Sequence, residues 1–283
     1  MENRNESSIC EPDFGIIQGR LTVPPAGLLQ WFPQEEWREE FGYAESVGIR
    51  FIELLTERDY NSLNPAWSAG GRDEIRAAAR ESGRDVYSIC TDYIIDHELL
   101  GTDAKAVKQH VSEFLDAGAD LKCAVAVFPL LEKSNLTADN AVKYVPLMKE
   151  FARQAAESGM TICIESLLNG TDLKNLLEDI NESNVKCVFD TGNRILDNRD
   201  LDTEIRLLGN WITHVHIKDK NACGENVLMG TGLVDFRRVF EALNDIDYRG
   251  PLVFETTRGT NPLKTASYHM DTCCFFTHEA THG

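Results

Sequence analysis

Four short apolar runs decide the reading of this chain: residues 162–166 (ICIES), 187–193 (CVFDTGN), 212–219 (ITHVHIKD) and 251–256 (PLVFET). Each is rich in β-branched residues and bounded by polar or turn residues, the pattern of a buried strand. Each also ends in a residue able to bind a divalent cation: Glu165, Asp190, His216 and Glu255. One carboxylate at the end of a buried strand is common. Three carboxylates and a histidine at the ends of four strands, with helical patterns between them, suggest ligands converging on one metal.

Working outward, four more strand patterns precede these. The eight begin at Phe14, Arg50, Asp85, Cys123, Thr161, Val185, Thr213 and Leu252. Helical patterns fill the gaps. Residues 33–48 carry Pro33 near the start and Gly48 at the end, and residues 71–83 stop at Gly83. Residues 102–118 are framed by a capping Thr102 and by Gly118. Residues 137–159 contain Pro146, which either kinks a long helix or splits it. Helical runs at 171–183, 201–211, 235–246 and 262–278 follow. Eight β-then-α units predict an α/β protein made of a single (β/α)₈ TIM barrel over residues 13–283, preceded by a flexible N-terminus at 1–12. A doubly wound open sheet is the competing arrangement. The polar strand ends favour the barrel, because barrel enzymes build their sites at the C-terminal ends of the strands.

The bulk composition narrows the function classes. The chain has 283 residues, 42% of them apolar and 26% charged, so it can bury a substantial core. A formal net charge of −18 repels a phosphate backbone, so no nucleic-acid partner is expected. No stretch suits a signal peptide or a membrane span. Of the eight cysteines, Cys90, Cys123, Cys163 and Cys187 lie inside strand patterns, where a free thiol acts as a small hydrophobe. These features predict a cytoplasmic protein with no membrane partner.

The ligand set suggests chemistry. Oxygen donors suit Mg²⁺ and Mn²⁺, and one imidazole shifts the preference toward Mn²⁺, Co²⁺ or Zn²⁺. Open positions on such an ion could polarise a substrate's hydroxyl and carbonyl oxygens. A flanking carboxylate could then remove the proton beside the carbonyl and a second could return it. Each residue also has a plainer role open to it. Glu165 could be a structural ion-pair partner, Asp190 a cap on the turn at Gly192, His216 a core histidine, and Glu255 a partner of Arg258.

The chain resembles the xylose-isomerase-like TIM barrel superfamily, in its sugar-phosphate isomerase/epimerase branch. The pieces that carry the resemblance are GIIQGRL (15–21), GIRFIEL (48–54), CIES, FDTGN, HVHIKD, GTGLVDF (230–236) and LVFETTRG (252–259), in the family's order. The resemblance implies a divalent metal on Glu165, Asp190, His216 and Glu255, with Mn²⁺ ahead of Mg²⁺, Co²⁺ or Zn²⁺. It also implies that Glu165 and Glu255 form the acid/base pair of an isomerase or epimerase acting through a cis-enediolate. The expected partner is a small-molecule sugar or sugar phosphate. Many relatives place a histidine three residues after the metal-binding aspartate, where this chain has Asn193. An amide binds metals poorly but can hydrogen-bond a sugar hydroxyl.

Other residues join the site as candidate substrate contacts. His214 shares the strand face of His216 and Lys218 lies at the rim on the same parity. Glu53 reads as the end of the second strand, where it either approaches the substrate or pairs with Arg20. Arg20 and Arg258 could hold an anionic group, Arg20 in a bidentate fashion. Asp92 and His97, after the third strand, could line the pocket, with an ordinary polar loop as the plainer reading. Residues 21–33, with Trp31 and Phe32, could cover the site or form an interface in a homo-oligomer. The turn at Gly230, Thr231 and Gly232 lacks the third glycine of a dinucleotide fingerprint and reads as a tight entry into the helix at Asp235. Three alternatives remain. They are a polyol (inosose-type) dehydratase on the same metal site, an AP-endonuclease-like phosphodiesterase, and a non-catalytic sugar-binding barrel.

Overall fold

A computed structural model describes residues 13–25, 28–197 and 199–282. The expected flexible segment at 1–12 lies outside these residues. Eight parallel strands close into a barrel: β1 (Phe14–Ile17), β2 (Phe51–Thr56), β3 (Asp85–Thr91), β4 (Val125–Leu130), β5 (Thr161–Ser166), β6 (Val185–Asp190), β7 (Ile212–Ile217) and β10 (Leu252–Phe254). A small antiparallel pair, β8 (Asp219–Lys220) and β9 (Asn226–Val227), lies between β7 and β10 in the chain. The open-sheet alternative is excluded because β1 pairs with both β2 and β10. Every barrel strand begins within two residues of its expected start.

Ten α-helices are found among the described residues, in chain order: α1 (Glu39–Val47), α2 (Ala69–Ser82), α3 (Tyr93–Asp96), α4 (Ala104–Asp120), α5 (Ala141–Glu157), α6 (Gly170–Ile180), α7 (Thr191–Ile195), α8 (Leu201–Leu208), α9 (Phe236–Asp245) and α10 (Pro262–His282). Side chains that alternate along a strand fall into two cores. Ile162, Ile164, Phe189, Val215, Ile217 and Phe254 point outward under the helices, each contributing about 1.5–3 kcal/mol through burial. Cys90, Val125, Val127, Cys163 and Val188 point inward. The predicted buried thiols Cys90, Cys123, Cys163 and Cys187 are free and in the core.

Several helix boundaries differ from expectation. Residues 34–38 form turns, and α1 begins only at Glu39. The helix α4 runs past Gly118 to Asp120, and its N-cap residue is Asp103 rather than Thr102. Gly118 serves close packing instead of termination: a Cβ there would stand 3.1 Å from both Ile89 and Met160. The helix α5 continues through Pro146 without splitting.

Two irregularities in strand pairing set the register of inward side chains. Between β2 and β3, Ile52 pairs with Val86 and Glu53 with Ser88, so Tyr87 is an extra residue. Between β6 and β7, Cys187 pairs with Ile212 and Val188 with His214, so Thr213 is extra. The second shift brings His216 directly opposite Asp190. No helix among the described residues is long and apolar enough to cross a membrane.

Candidate active site

Alternation along β5, β6, β7 and β10 turns Glu165, Asp190, His216 and Glu255 into the mouth of the barrel. Glu165 lies one residue before the end of β5, Asp190 ends β6, and Glu255 directly follows β10. One ligand atom from each of the four lies within 4.8 Å of the others. His216 Nδ1 is 3.3 Å from Glu255 Oε2, 3.8 Å from Glu165 Oε2 and 3.9 Å from Asp190 Oδ2. All four residues are buried, and His216 Nδ1 has no hydrogen-bond partner.

Three buried carboxylates would repel one another without cations. Lys218, on the same face of the chain as His216, places Nζ 2.8 Å from Asp190 Oδ2 and 2.7 Å from Glu255 Oε2. Its stem needs room that Gly192 supplies: a Cβ at Gly192 would fall 2.1 Å from Lys218 Cγ. Arg20 stands 3.5 Å from Glu255 Oε1, donates to the Thr256 carbonyl at 3.1 Å and contacts the Gln30 side chain. Asn193 donates from Nδ2 to Glu165 Oε1 at 2.8 Å.

The two glutamates sit in different fields. Burial, reinforced by Asp190, pushes the Glu165 carboxyl up to about 8. Burial acts the same way on Glu255, but Lys218 and His216 outweigh it and hold that carboxyl well below the usual range. For His216 burial opposes the charge, while Glu53 and then the site carboxylates favour it, so its pKa stands well above the ordinary value.

Donors on one small cation stand roughly 2.0–2.2 Å from it, hence about 4.4 Å apart at most. The compactness of the four-residue cluster fits that limit after small side-chain adjustments. The donor set of three carboxylates and an imidazole with a free Nδ1 suits a hard or borderline divalent ion. The sequence profile of the xylose isomerase-like TIM barrel family matches residues 41–273.

The chain belongs to this family.

Among proteins of similar sequence, the L-ribulose-5-phosphate 3-epimerase UlaE of Salmonella paratyphi A is 26% identical over 78% of this chain and 82% of its own. The L-ribulose 3-epimerase of Methylomonas sp. strain DH-1 is 29% identical over a match that spans 47% of each chain. A xylose isomerase-like TIM barrel protein from Mycobacterium smegmatis, solved in complex with magnesium, superposes with a TM-score of 0.71. That superposition covers 96% of this chain and 98% of the other at 14% identity, a likeness of fold.

The remaining candidates of this family member divide by position. Glu53 is the third residue of β2 rather than its end. It is fully buried behind His216, with hydrogen-bond contacts to His214, His216 and Ser88 instead of a partnership with Arg20. His214 lies one layer below His216 in the barrel and is also fully buried. Arg258 donates from Nε to the Gly19 carbonyl at 2.7 Å, and no carboxylate within ion-pair distance is found for it among the described residues. Asp190 does cap the turn after its strand, accepting from Asn193 N at 2.7 Å through Oδ1, and Oδ2 remains for the cluster.

Trp31 donates to the Gly19 carbonyl and Phe32 is buried, so part of the first loop packs beside the mouth. Ala26 and Gly27 of that loop lie outside the described residues. Asp92 is buried, unlike a residue of an ordinary polar loop. Burial and then Glu255 push its carboxyl up to about 7, while Arg58 and Arg20 pull the other way. The turn at Gly230 and Gly232 is a structural entry to α9, as expected. Asp219 collects the backbone N–H groups of Gly230, Gly232 and Val234 at 3.0, 2.8 and 3.1 Å. That explains the spacing between HIKD and GTGLVDF, since a buried carboxylate with several N–H partners pins the connecting loop.

Proposed function

We propose that this protein is a divalent-metal-dependent epimerase or isomerase of a sugar or sugar phosphate. The observation that carries the reading is the pair Glu165 and Glu255, whose carboxylates both join one buried donor cluster at the barrel mouth. One of the two takes the proton from the carbon next to the substrate carbonyl, and the other delivers a proton to the opposite face. The enediolate formed between the two transfers collapses to the epimer or to the isomer, depending on which carbon is reprotonated.

Glu165, Asp190, His216 and Glu255 would hold the cation, Mn²⁺ in first place with Mg²⁺, Co²⁺ or Zn²⁺ as substitutes. Bound there, it would polarise adjacent hydroxyl and carbonyl oxygens as a Lewis acid. Asn193 holds Glu165 in orientation through its amide. Lys218 would meet negative charge growing on a substrate oxygen, and Arg20 would keep Glu255 aimed at the mouth. Arg20 and Arg258 are the candidate contacts for an anionic group of a phosphorylated sugar. The names of the epimerase relatives agree with a ketose substrate.

Solvent-deuterium wash-in tests the reading. Metal-loaded protein is incubated in D₂O with pentoses, hexoses and their phosphates, and label beside the carbonyl is read by NMR. At least one ketose should exchange. Absence of exchange across the panel would leave a sugar-binding barrel, and loss of water from the substrate would point to a dehydratase.

A further inference from the structure

Glu53 has no place in the proton transfers, yet its carboxylate is fully buried in the barrel and engaged on both oxygens. Oε1 is 3.0 Å from His216 Nε2, while Oε2 is 2.7 Å from His214 Nε2 and accepts the Ser88 hydroxyl at 2.6 Å. The His216 ring thus touches Glu53 through Nε2 and the donor cluster through Nδ1, the atom 3.3 Å from Glu255 Oε2. An imidazole that donates one N–H to a carboxylate is fixed in tautomer and in ring rotation, and its other nitrogen is left as a more basic ligand.

The fold supports this arrangement on both sides. The extra residue Tyr87 brings Ser88 opposite Glu53 in the strand register. The extra residue Thr213 brings His216 opposite Asp190. His214 and His216, two residues apart on β7, share one face and both reach Glu53 on β2, across the barrel.

We propose that Glu53 is a positioning residue: it holds the proton of His216 on Nε2 and presents Nδ1 as the metal-binding nitrogen, with His214 and Ser88 anchoring Glu53 in turn. This rests on the metal-site reading above. Outer partners of metal-bound histidines are worth roughly 10–100-fold in metal affinity. A core ion pair with no such role would affect stability alone.

The test titrates Mn²⁺ calorimetrically into metal-stripped wild type, Glu53→Gln and Glu53→Ala. It is coupled to ¹⁵N NMR of the histidine side chains with and without Zn²⁺. The expected affinities fall in the order wild type, Glu53→Gln, Glu53→Ala, because the amide keeps an acceptor without the charge and alanine keeps neither. The Glu53→Gln loss should be roughly tenfold or more. In Zn²⁺-loaded wild type, His216 should show a proton on Nε2 and the metal-induced shift on Nδ1. Folded variants that bind Mn²⁺ as tightly as wild type would overturn the proposal, as would Zn²⁺ on Nε2. Should the variants fail to fold, the wild-type spectra decide. Wild type that binds neither Mn²⁺ nor Zn²⁺ would refute the metal reading and this role with it. Metal bound through Nε2 would remove the role of Glu53 alone.

Discussion

At the scale of single residues, the site is a balance of three carboxylates against an ammonium and an imidazole. Lys218 already neutralises Asp190 and Glu255 at 2.8 and 2.7 Å, so it competes with any cation that arrives there. Lys218→Met should therefore tighten Mn²⁺ binding by calorimetry, by several-fold, while lowering the rate of sugar turnover at saturating metal. Unchanged affinity would mean that the ammonium leaves the carboxylates at no cost. Glu165→Gln should reduce deuterium wash-in by roughly 10²–10⁴-fold, the usual contribution of a general acid or base, with the circular dichroism spectrum intact. Retained exchange would remove Glu165 as a proton carrier. The four clustered residues were legible because each ends a strand pattern, and strand parity alone then turns all four inward. Glu53 was read as a strand end because the apolar run breaks there. In fact β2 continues to Thr56, and the carboxylate is tolerated inside because two histidines and a serine from other strands meet it. Those partners lie far away in sequence, so periodicity could not supply them.

At the scale of elements, the first loop is tied to α1 through one buried carboxyl. Glu40 accepts the Gly19 N–H at 2.8 Å and the Leu21 N–H at 3.3 Å. Burial pushes its carboxyl up to about 8 against an ordinary value of 4.5, with those backbone bonds opposing. The folded state then binds more protons than the unfolded state between these values. Its contribution to stability is complete below about pH 4.5 and is lost as pH rises through about 8. Glu40→Gln keeps an acceptor and abolishes the titration, so the melting temperature of the variant should gain on wild type between pH 5 and pH 9. A constant difference across that range would show that Glu40 does not titrate there. Sequence patterns placed the strands well and the helix ends less well, for a physical reason. A strand is marked by its own apolar run. Gly118 inside α4 looks the same as a terminating glycine until Ile89 and Met160 are known to press on it. The strand irregularities at Tyr87 and Thr213 leave no local mark, although they decide which side chains face each other.

At the scale of the whole molecule, the closed ring of strands is what turns four scattered residues into one site. A ligand that binds the folded state alone stabilises it by mass action, about 2.7 kcal/mol at a concentration 100 times its dissociation constant. Saturating Mn²⁺ should raise the melting temperature by several degrees and chelation should reverse it. No shift in the wild type would argue against a resident ion. Asp190→Asn should lose most of that shift, because it removes a ligand charge, and an undiminished shift would place the ion elsewhere. The most direct measurement is anomalous diffraction at the manganese edge from crystals soaked in Mn²⁺. The account predicts one strong peak about 2.0–2.3 Å from Glu165, Asp190, His216 Nδ1 and Glu255 together. A peak bound by other residues, or none at the barrel mouth, would contradict it.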